Sequence, residues 1–168
     1  LDILMTGATG TDPAFNPVSK IYRNNGNSTF TEQTQISLTG IMRGSASWGD
    51  YDNDGDLDIL LDGAIDNQYN YNVNPKIYRN NGNNTFTEQT QLHFPQMGYS
   101  SSTTWGDFDK DGDLDMYLLN QAAHTNVSYG PNTPRYPRND ESGDRLMENQ
   151  GGHFVDVSEK TGIHDGPA

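Results

Sequence analysis

The chain contains no cysteine among its 168 residues, so neither a disulfide framework nor a thiolate metal site can contribute to it. Apolar runs such as Ile59-Leu60-Leu61 are far too short to span a bilayer, and no membrane insertion is expected. Basic residues are scarce, with 10 Lys and Arg against 23 Asp and Glu, so the basic stripe that a nucleic-acid partner requires is missing. No G-x-S-x-G, H-E-x-x-H or glycine-rich phosphate-loop motif occurs, and the chain is not expected to be an enzyme.

The residues that are abundant favour short strands joined by turns. Hydrophobic residues make up 32% of the chain, while Gly, Asn, Asp and Thr are frequent. This composition is typical of an all-β protein rather than of packed helices. The sequence begins with Leu1, inside a motif that recurs later, which predicts a processed or truncated segment of a longer protein.

An internal repeat organises the whole chain. The string L-D-I-L starts at Leu1 and Leu57 and, with two changes, at Leu114, so the spacing is 56 and then 57 residues. Two further strings recur within this period, K-I-Y-R-N-N-G and T-F-T-E-Q-T-Q. Their third copies are divergent. A repeat of this length indicates a supersecondary unit that stacks on its neighbours.

Each repeat is predicted to form four short antiparallel strands. The first ends at W-G-D, the second is L-D-I-L-L, the third is I-Y-R-N and the fourth is T-F-T-E-Q-T. Asn-Gly pairs between the third and fourth strands favour a tight hairpin, because these residues adopt positive φ at low cost. A four-stranded meander must cover both faces by radial stacking, which predicts about three β-propeller blades in an incomplete propeller or part of a larger one.

The repeat boundaries divide the chain into three units. The range 1–42 is predicted to be a partial blade that lacks its first strand and most of its metal loop. The range 43–98 is predicted to be a complete blade. The range 99–168 is predicted to be a third blade that carries an inserted loop at about 121–144, which could bind a partner.

Two acidic loops carry the predicted chemistry, since ten of the 23 Asp and Glu lie within 50–58 and 107–115. Both loops fit D-x-D-x-D-G-x-x-D. Two carboxylates about 4 Å apart repel by roughly 4 kcal/mol at an effective dielectric near 20, so several of them converging on one point need a cation or must be protonated. Every candidate donor is an oxygen, which favours Ca²⁺ over Zn²⁺ or copper.

The spacing assigns a role to each aspartate. Asp2 matches the ninth position of a loop whose earlier ligands are missing, and it is interpreted as the remnant of a third site. An EF-hand is excluded, because its twelfth residue must be Glu and here is Leu61 or Leu118. The predicted side-chain ligands are Asp50, Asp52, Asp54 and Asp58 in the first loop and Asp107, Asp109, Asp111 and Asp115 in the second, with Asp56 and Asp113 as backbone carbonyl donors.

The segments W-G-D-Y-D-N-D-G-D-L-D-I-L-L and W-G-D-F-D-K-D-G-D-L-D resemble FG-GAP/VCBS repeats. Those repeats build the β-propellers of integrin α-subunits and of many secreted bacterial proteins. The resemblance implies a Ca²⁺-binding loop between the first two strands of each blade. The stretch 143–163 is also similar to bacterial proteins with ASPIC/UnbV-type regions.

Two further features bear on function. Trp48 and Trp105 precede Gly-Asp in their repeats and are interpreted as core residues, with sugar stacking as the alternative. N-glycosylation sequons occur at Asn27, Asn83 and Asn126.

The expected function is that of an extracellular, secreted or cell-surface Ca²⁺-binding module for adhesion or structural assembly. Its open strand edges are expected to bind other blades or copies of the chain, as a multimer or filament, and its partners could also be proteins or glycans. A carbohydrate-binding lectin is the alternative, and a fragment of a secreted enzyme is a further one.

Overall fold

The computed structural model describes residues 2–11, 14–65, 74–95, 102–119 and 143–163. Nearly all of the regular structure in these ranges is β-strand, which confirms the predicted all-β class. The strands are β1 Ile3–Thr9, β2 Asn16–Asn24, β3 Phe30–Glu32, β4 Met42–Gly49, β5 Asp58–Ala64, β6 Lys76–Asn80, β7 Phe86–Glu88, β8 Ser102–Gly106, β9 Asp115–Leu119, β10 Arg145–Asn149 and β11 Phe154–Asp156, followed by a short helix α1, Ser158–Thr161.

The strands form three antiparallel sheets, each with its strands in chain order. The first sheet contains β1, β2 and β3, the second β4 to β7 and the third β8 to β11. Strand β1 begins within the L-D-I-L string that recurs at β5 and, with two changes, at β9. The first sheet therefore contains the counterparts of the second, third and fourth strands of the other two. The meander predicted for each repeat is therefore present, and the sheets agree with FG-GAP blades of an incomplete propeller.

Equivalent residues occupy equivalent positions in the sheets. Trp48 pairs with Ile59 in the second sheet as Trp105 pairs with Met116 in the third. The Asn-Gly hairpins also repeat: the Asn81 amide donates to the Thr85 carbonyl at 3.0 Å, and Gly82 has φ 74°. This left-handed conformation is one that Gly adopts without steric cost, as the sequence predicted.

Two apolar cores lie between successive sheets. The core between the first and second sheets contains the buried residues Ile21, Ile41, Ile59, Leu61 and Tyr78. The core between the second and third contains Tyr51, Leu60, Ile77, Met116, Leu118 and Met147. Strand β5 contributes to both cores from its two faces, and all seven of its residues are buried. The second sheet is thus packed between the other two.

A glycine sets how closely the second and third sheets approach. A Cβ atom on Gly49, at the end of β4, would lie 2.5 Å from Cδ1 of Trp105, at the end of β8. The Trp105 ring also stacks on Tyr51 at a centroid distance of 6.3 Å. At Gly106, the equivalent glycine of the third sheet, a Cβ would meet nothing within 4 Å among the described atoms.

Candidate metal centre

Both acidic loops join the first two strands of a four-stranded sheet. The range 50–58 leads from β4 into β5, and 107–115 leads from β8 into β9. In each loop the fourth and sixth residues have positive φ: Asn53 at 57° and Gly55 at 92°, Lys110 at 66° and Gly112 at 99°. These two positions fold the loop back on itself, so alternate side chains turn toward a common point.

The first aspartate of each loop organises the turn. Asp50 accepts hydrogen bonds from the backbone amides of Asp54 and Gly55, both at 3.0 Å. Asp107 accepts in the same way from Lys110 at 2.7 Å and Gly112 at 3.3 Å. The carboxylates are therefore held by backbone donors on one side, which leaves their remaining lone pairs available to a cation.

The ninth aspartate of each loop is buried and links the loop to the third strand of its sheet. The Asp115 side chain accepts from the Phe108 amide at 2.9 Å and from the Asn149 amide at 2.8 Å. Asp58 accepts from Tyr51 at 3.1 Å and from Asn80 at 2.7 Å. The carboxylate of Asp2, the equivalent residue of the first sheet, is exposed. It accepts the hydrogen bond that corresponds to the second one, from the Asn24 amide at 2.9 Å.

Carboxylate oxygens converge in both loops. One oxygen from each of Asp50, Asp52 and Asp54 lies within 4.8 Å of the others, and so does one oxygen from each of Asp107, Asp109 and Asp115. The predicted side-chain ligands Asp58 and Asp111 lie outside these groups. The side chain of Asp113 accepts from Asn53 of the other loop at 2.7 Å. The carbonyl roles of Asp56 and Asp113 remain predictions.

The donor set fits a hard divalent cation. Oδ1 of Asp52 is buried and has no hydrogen-bond partner among the described residues, which is a costly state for a carboxylate oxygen unless a cation is bound. All of the grouped donors are carboxylate oxygens, the ligand type that calcium and magnesium take and zinc uses less often. Each acidic cluster could therefore hold a metal ion.

Burial, and after it the nearby negative charges, raise the pKa of two loop residues. Burial raises the pKa of the Asp58 carboxyl to about 6; its two backbone hydrogen bonds oppose this shift, while the charges of Asp52 and Asp54 increase it. The pKa of Asp109 is raised by desolvation first and then by the charges of Asp111, Asp115 and Glu148. A divalent ion would favour the charged form of each group.

The sequence motifs do not identify one residue of the site, which precedes the asparagine at the end of the third strand. In the second sheet this residue is Arg79, whose Nε lies 2.6 Å from Oδ2 of Asp52 and whose Nη2 lies 2.9 Å from Oδ2 of Asp54. In the third sheet it is Glu148. The repeat does place this residue directly before Asn80 and Asn149. The repeat period alone, however, does not indicate that this position faces the acidic loop.

The other candidate residues lie away from the loops' carboxylate groups. Trp48 and Trp105 pack in the cores between the sheets, as the sequence favoured. The sequon residues Asn27 and Asn83 are exposed at hairpin tips, where each accepts a 2.5 Å hydrogen bond from the sequon threonine. Asn126 and almost all of the predicted insertion 121–144 lie outside the described residues.

Comparison with known proteins gave one match. The profile of the FG-GAP-like repeat matches residues 1–61 and 62–118, which together cover more than two thirds of the chain. The similarity of 143–163 to ASPIC/UnbV-type proteins was not confirmed. No curated protein and no solved structure matches the chain. Among the described residues, no helix is long and apolar enough to cross a membrane.

Proposed function

The chain belongs to the FG-GAP-like repeat family, and on that premise we propose that it is an extracellular, calcium-binding β-propeller module for adhesion or structural assembly, without catalytic activity. The observation that carries the proposal is the pair of carboxylate groups at equivalent places in two sheets. Millimolar calcium outside cells would fill even weak sites of this kind. When bound, the ion would neutralise the loop and hold the first two strands of each sheet together.

Calcium is favoured over magnesium by the donor set. Magnesium requires near-octahedral geometry and usually keeps several waters, whereas calcium accepts six to eight oxygens in flexible arrangements. In the first loop Asp50, Asp52 and Asp54 would hold the ion, and in the second Asp107, Asp109 and Asp115 would do so. Asp58 is close enough to Asp52 and Asp54 for their charges to raise its pKa, so a bound ion would also act electrostatically on the Asp58 carboxylate.

Removal of calcium is expected to lower the thermal stability of the protein. A ligand that binds the folded state alone at about 100 times its Kd adds roughly 2.7 kcal/mol per site. For a chain of this size each kcal/mol corresponds to about 2 to 4 °C, so with two sites EDTA should lower Tm by about 10 to 20 °C relative to saturating calcium. Differential scanning calorimetry measures this shift, and isothermal titration should count two sites.

Magnesium at the same concentration is the matched control, and it should give a much smaller increase in Tm. A calorimetric titration that detects no calcium uptake, together with identical melting curves in calcium and EDTA, would rule out the proposed function. Uptake at one site would restrict the function to that loop.

Assembly is supported by the exposed faces at the two ends of the stack of sheets. Ile3, Met5 and Phe30 in the first sheet are 43–45% exposed, although their equivalents 56 residues later, which include Ile59 and Leu61, pack in the core between the first two sheets. At the other end Phe108 is 39% exposed, whereas its equivalent Tyr51 is 5% exposed. Each end therefore exposes one half of the kind of interface that joins successive sheets within the chain. Another repeat could pack on either end in the same head-to-tail manner.

We expect the mass of the isolated chain to increase with concentration as copies stack through these faces. Size-exclusion chromatography with light scattering, from micromolar to about millimolar protein, measures the association. Met5→Glu places a charge in the exposed face and should keep the protein monomeric. A monomer at every concentration, with or without this substitution, would argue against assembly between copies.

A further inference from the structure

The two acidic loops differ at one equivalent position on the neighbouring strand. Tyr78 pairs with Ile59 in the second sheet, and Met147 pairs with Met116 in the third. The next residue along each third strand therefore lies beside the ninth aspartate of the loop. That residue is a cation in the second sheet, Arg79, and an anion in the third, Glu148.

Arg79 already occupies part of the first carboxylate group. Its guanidinium contacts Asp52 at 2.6 Å and Asp54 at 2.9 Å, and both residues belong to the group that could hold an ion. Guanidinium remains protonated at any ordinary pH, so a metal ion must share these oxygens with it or displace it. The Arg79 side chain is 45% exposed, which weakens the ion pair through solvent screening. A metal ion can therefore displace the Arg79 guanidinium, but breaking this ion pair lowers the net affinity of the loop for the ion.

The second carboxylate group has an additional negative charge nearby. Glu148 acts electrostatically on Asp109, and its own side chain is 15% exposed. Lys160 forms an ion pair with it, but the Lys160 Nζ is 3.9 Å away and its side chain is 78% exposed, so the neutralisation is weak. Lys110, within the loop, is exposed and forms no ion pair within 4.0 Å among the described residues. In the same part of the chain, no guanidinium forms an ion pair with the carboxylates of this loop.

We propose that the two loops bind calcium with unequal affinity, the 107–115 loop more tightly and the 50–58 loop more weakly, because Arg79 competes with the ion. This inference rests on the proposed calcium function. Arg79 then acts as an internal counter-ion that keeps the first loop neutralised when no metal is bound. The second loop fills first as calcium rises, and the first loop responds to a higher calcium range.

Isothermal titration with Ca²⁺ on two site-isolating variants tests the proposal. D107N/D109N leaves the first loop, and D50N/D52N leaves the second. We expect the isolated second loop to have a Kd lower by about 1.5-fold to fivefold, the range that exposed ion pairs support. Adding Arg79→Gln should tighten the first loop by a similar factor, and adding Glu148→Arg should weaken the second.

Arg23→Gln is the matched control, because Arg23 occupies the same place in the first sheet, beside Asp2. It should leave both affinities unchanged. The single variants R79Q and E148R provide the same comparison in the intact chain if the double variants do not fold. If the two sites had equal affinity and neither R79Q nor E148R changed it, the inference would be overturned and the calcium function would stand. If the unmodified chain took up no calcium, both would be overturned.

Discussion

Asp115→Ala is expected to lower the free energy of unfolding by about 2 to 4 kcal/mol, even in EDTA. The Asp115 side chain is 1% exposed and accepts hydrogen bonds from the backbone amides of Phe108 and Asn149. Alanine leaves the buried Asn149 amide and the part-buried Phe108 amide without this partner, at roughly 1 to 3 kcal/mol each. Relief of the repulsion from Asp107 and Asp109 offsets part of the loss. Urea denaturation followed by circular dichroism measures the loss. Working in EDTA separates this effect from any loss of bound calcium.

Asp2→Ala is the control at the equivalent position of the first sheet. Its carboxylate is exposed and accepts one amide hydrogen bond, from Asn24, so the loss should be at most about 1 kcal/mol. If Asp115→Ala and Asp2→Ala were equally mild in EDTA, the ninth aspartate would have no structural role apart from the metal.

The second large effect is expected from Leu61→Ala, which should destabilise the protein by about 2 to 5 kcal/mol. Leu61 is 1% exposed and packs between the first and second sheets. Truncation removes buried apolar surface and leaves a cavity in a region enclosed by two sheets. The same denaturation experiment measures the change, and the Tm should fall by about 5 to 15 °C.

Met5→Ala provides the comparison, since Met5 occupies the place of Leu61 one repeat earlier. The Met5 side chain is 43% exposed, so its truncation should cost less than about 1 kcal/mol at dilute protein. A cost for Leu61→Ala below that of Met5→Ala would contradict the close packing of the first two sheets. A cost for Met5→Ala that grows with protein concentration would instead support stacking between copies.

The repeat, the strands and the acidic loops could all be predicted from the sequence, because each depends on local chemistry. L-D-I-L-L has the apolar run of a buried strand, Asn81-Gly82 has the residues of a tight hairpin, and the D-x-D-x-D-G spacing converges on one point. These signals lie within a few residues of each other. They needed no knowledge of how the sheets pack.

Burial could not be predicted, because identical strings have different neighbours. In the first copy of L-D-I-L, Ile3 is 44% exposed, whereas in the second copy the equivalent Ile59 is fully covered. The difference arises from the position of each sheet in the stack. A periodicity argument assigns the same environment to both copies.

The roles of Asp58 and Arg79 were also beyond the sequence. The spacing predicted Asp58 as a ligand, which stays a prediction, but it did not indicate that the carboxylate accepts hydrogen bonds from two backbone amides. One of these donors is Asn80, 22 residues away, and it approaches through the pairing of β5 with β6. The same pairing brings Arg79 to the loop. Contacts of this kind depend on sheet register, which a sequence motif does not contain.

The missing side chain of Gly49 has a consequence for the packing of one repeat on the next. The indole of Trp105 occupies the space that a Cβ at Gly49 would fill, whereas no described atom lies within 4 Å of a Cβ at Gly106. If a further repeat packed on the third sheet as the third packs on the second, Gly106→Ala would leave the folding of this chain unchanged and would hinder the docking of the incoming tryptophan. The glycine after each tryptophan would then control the addition of a blade.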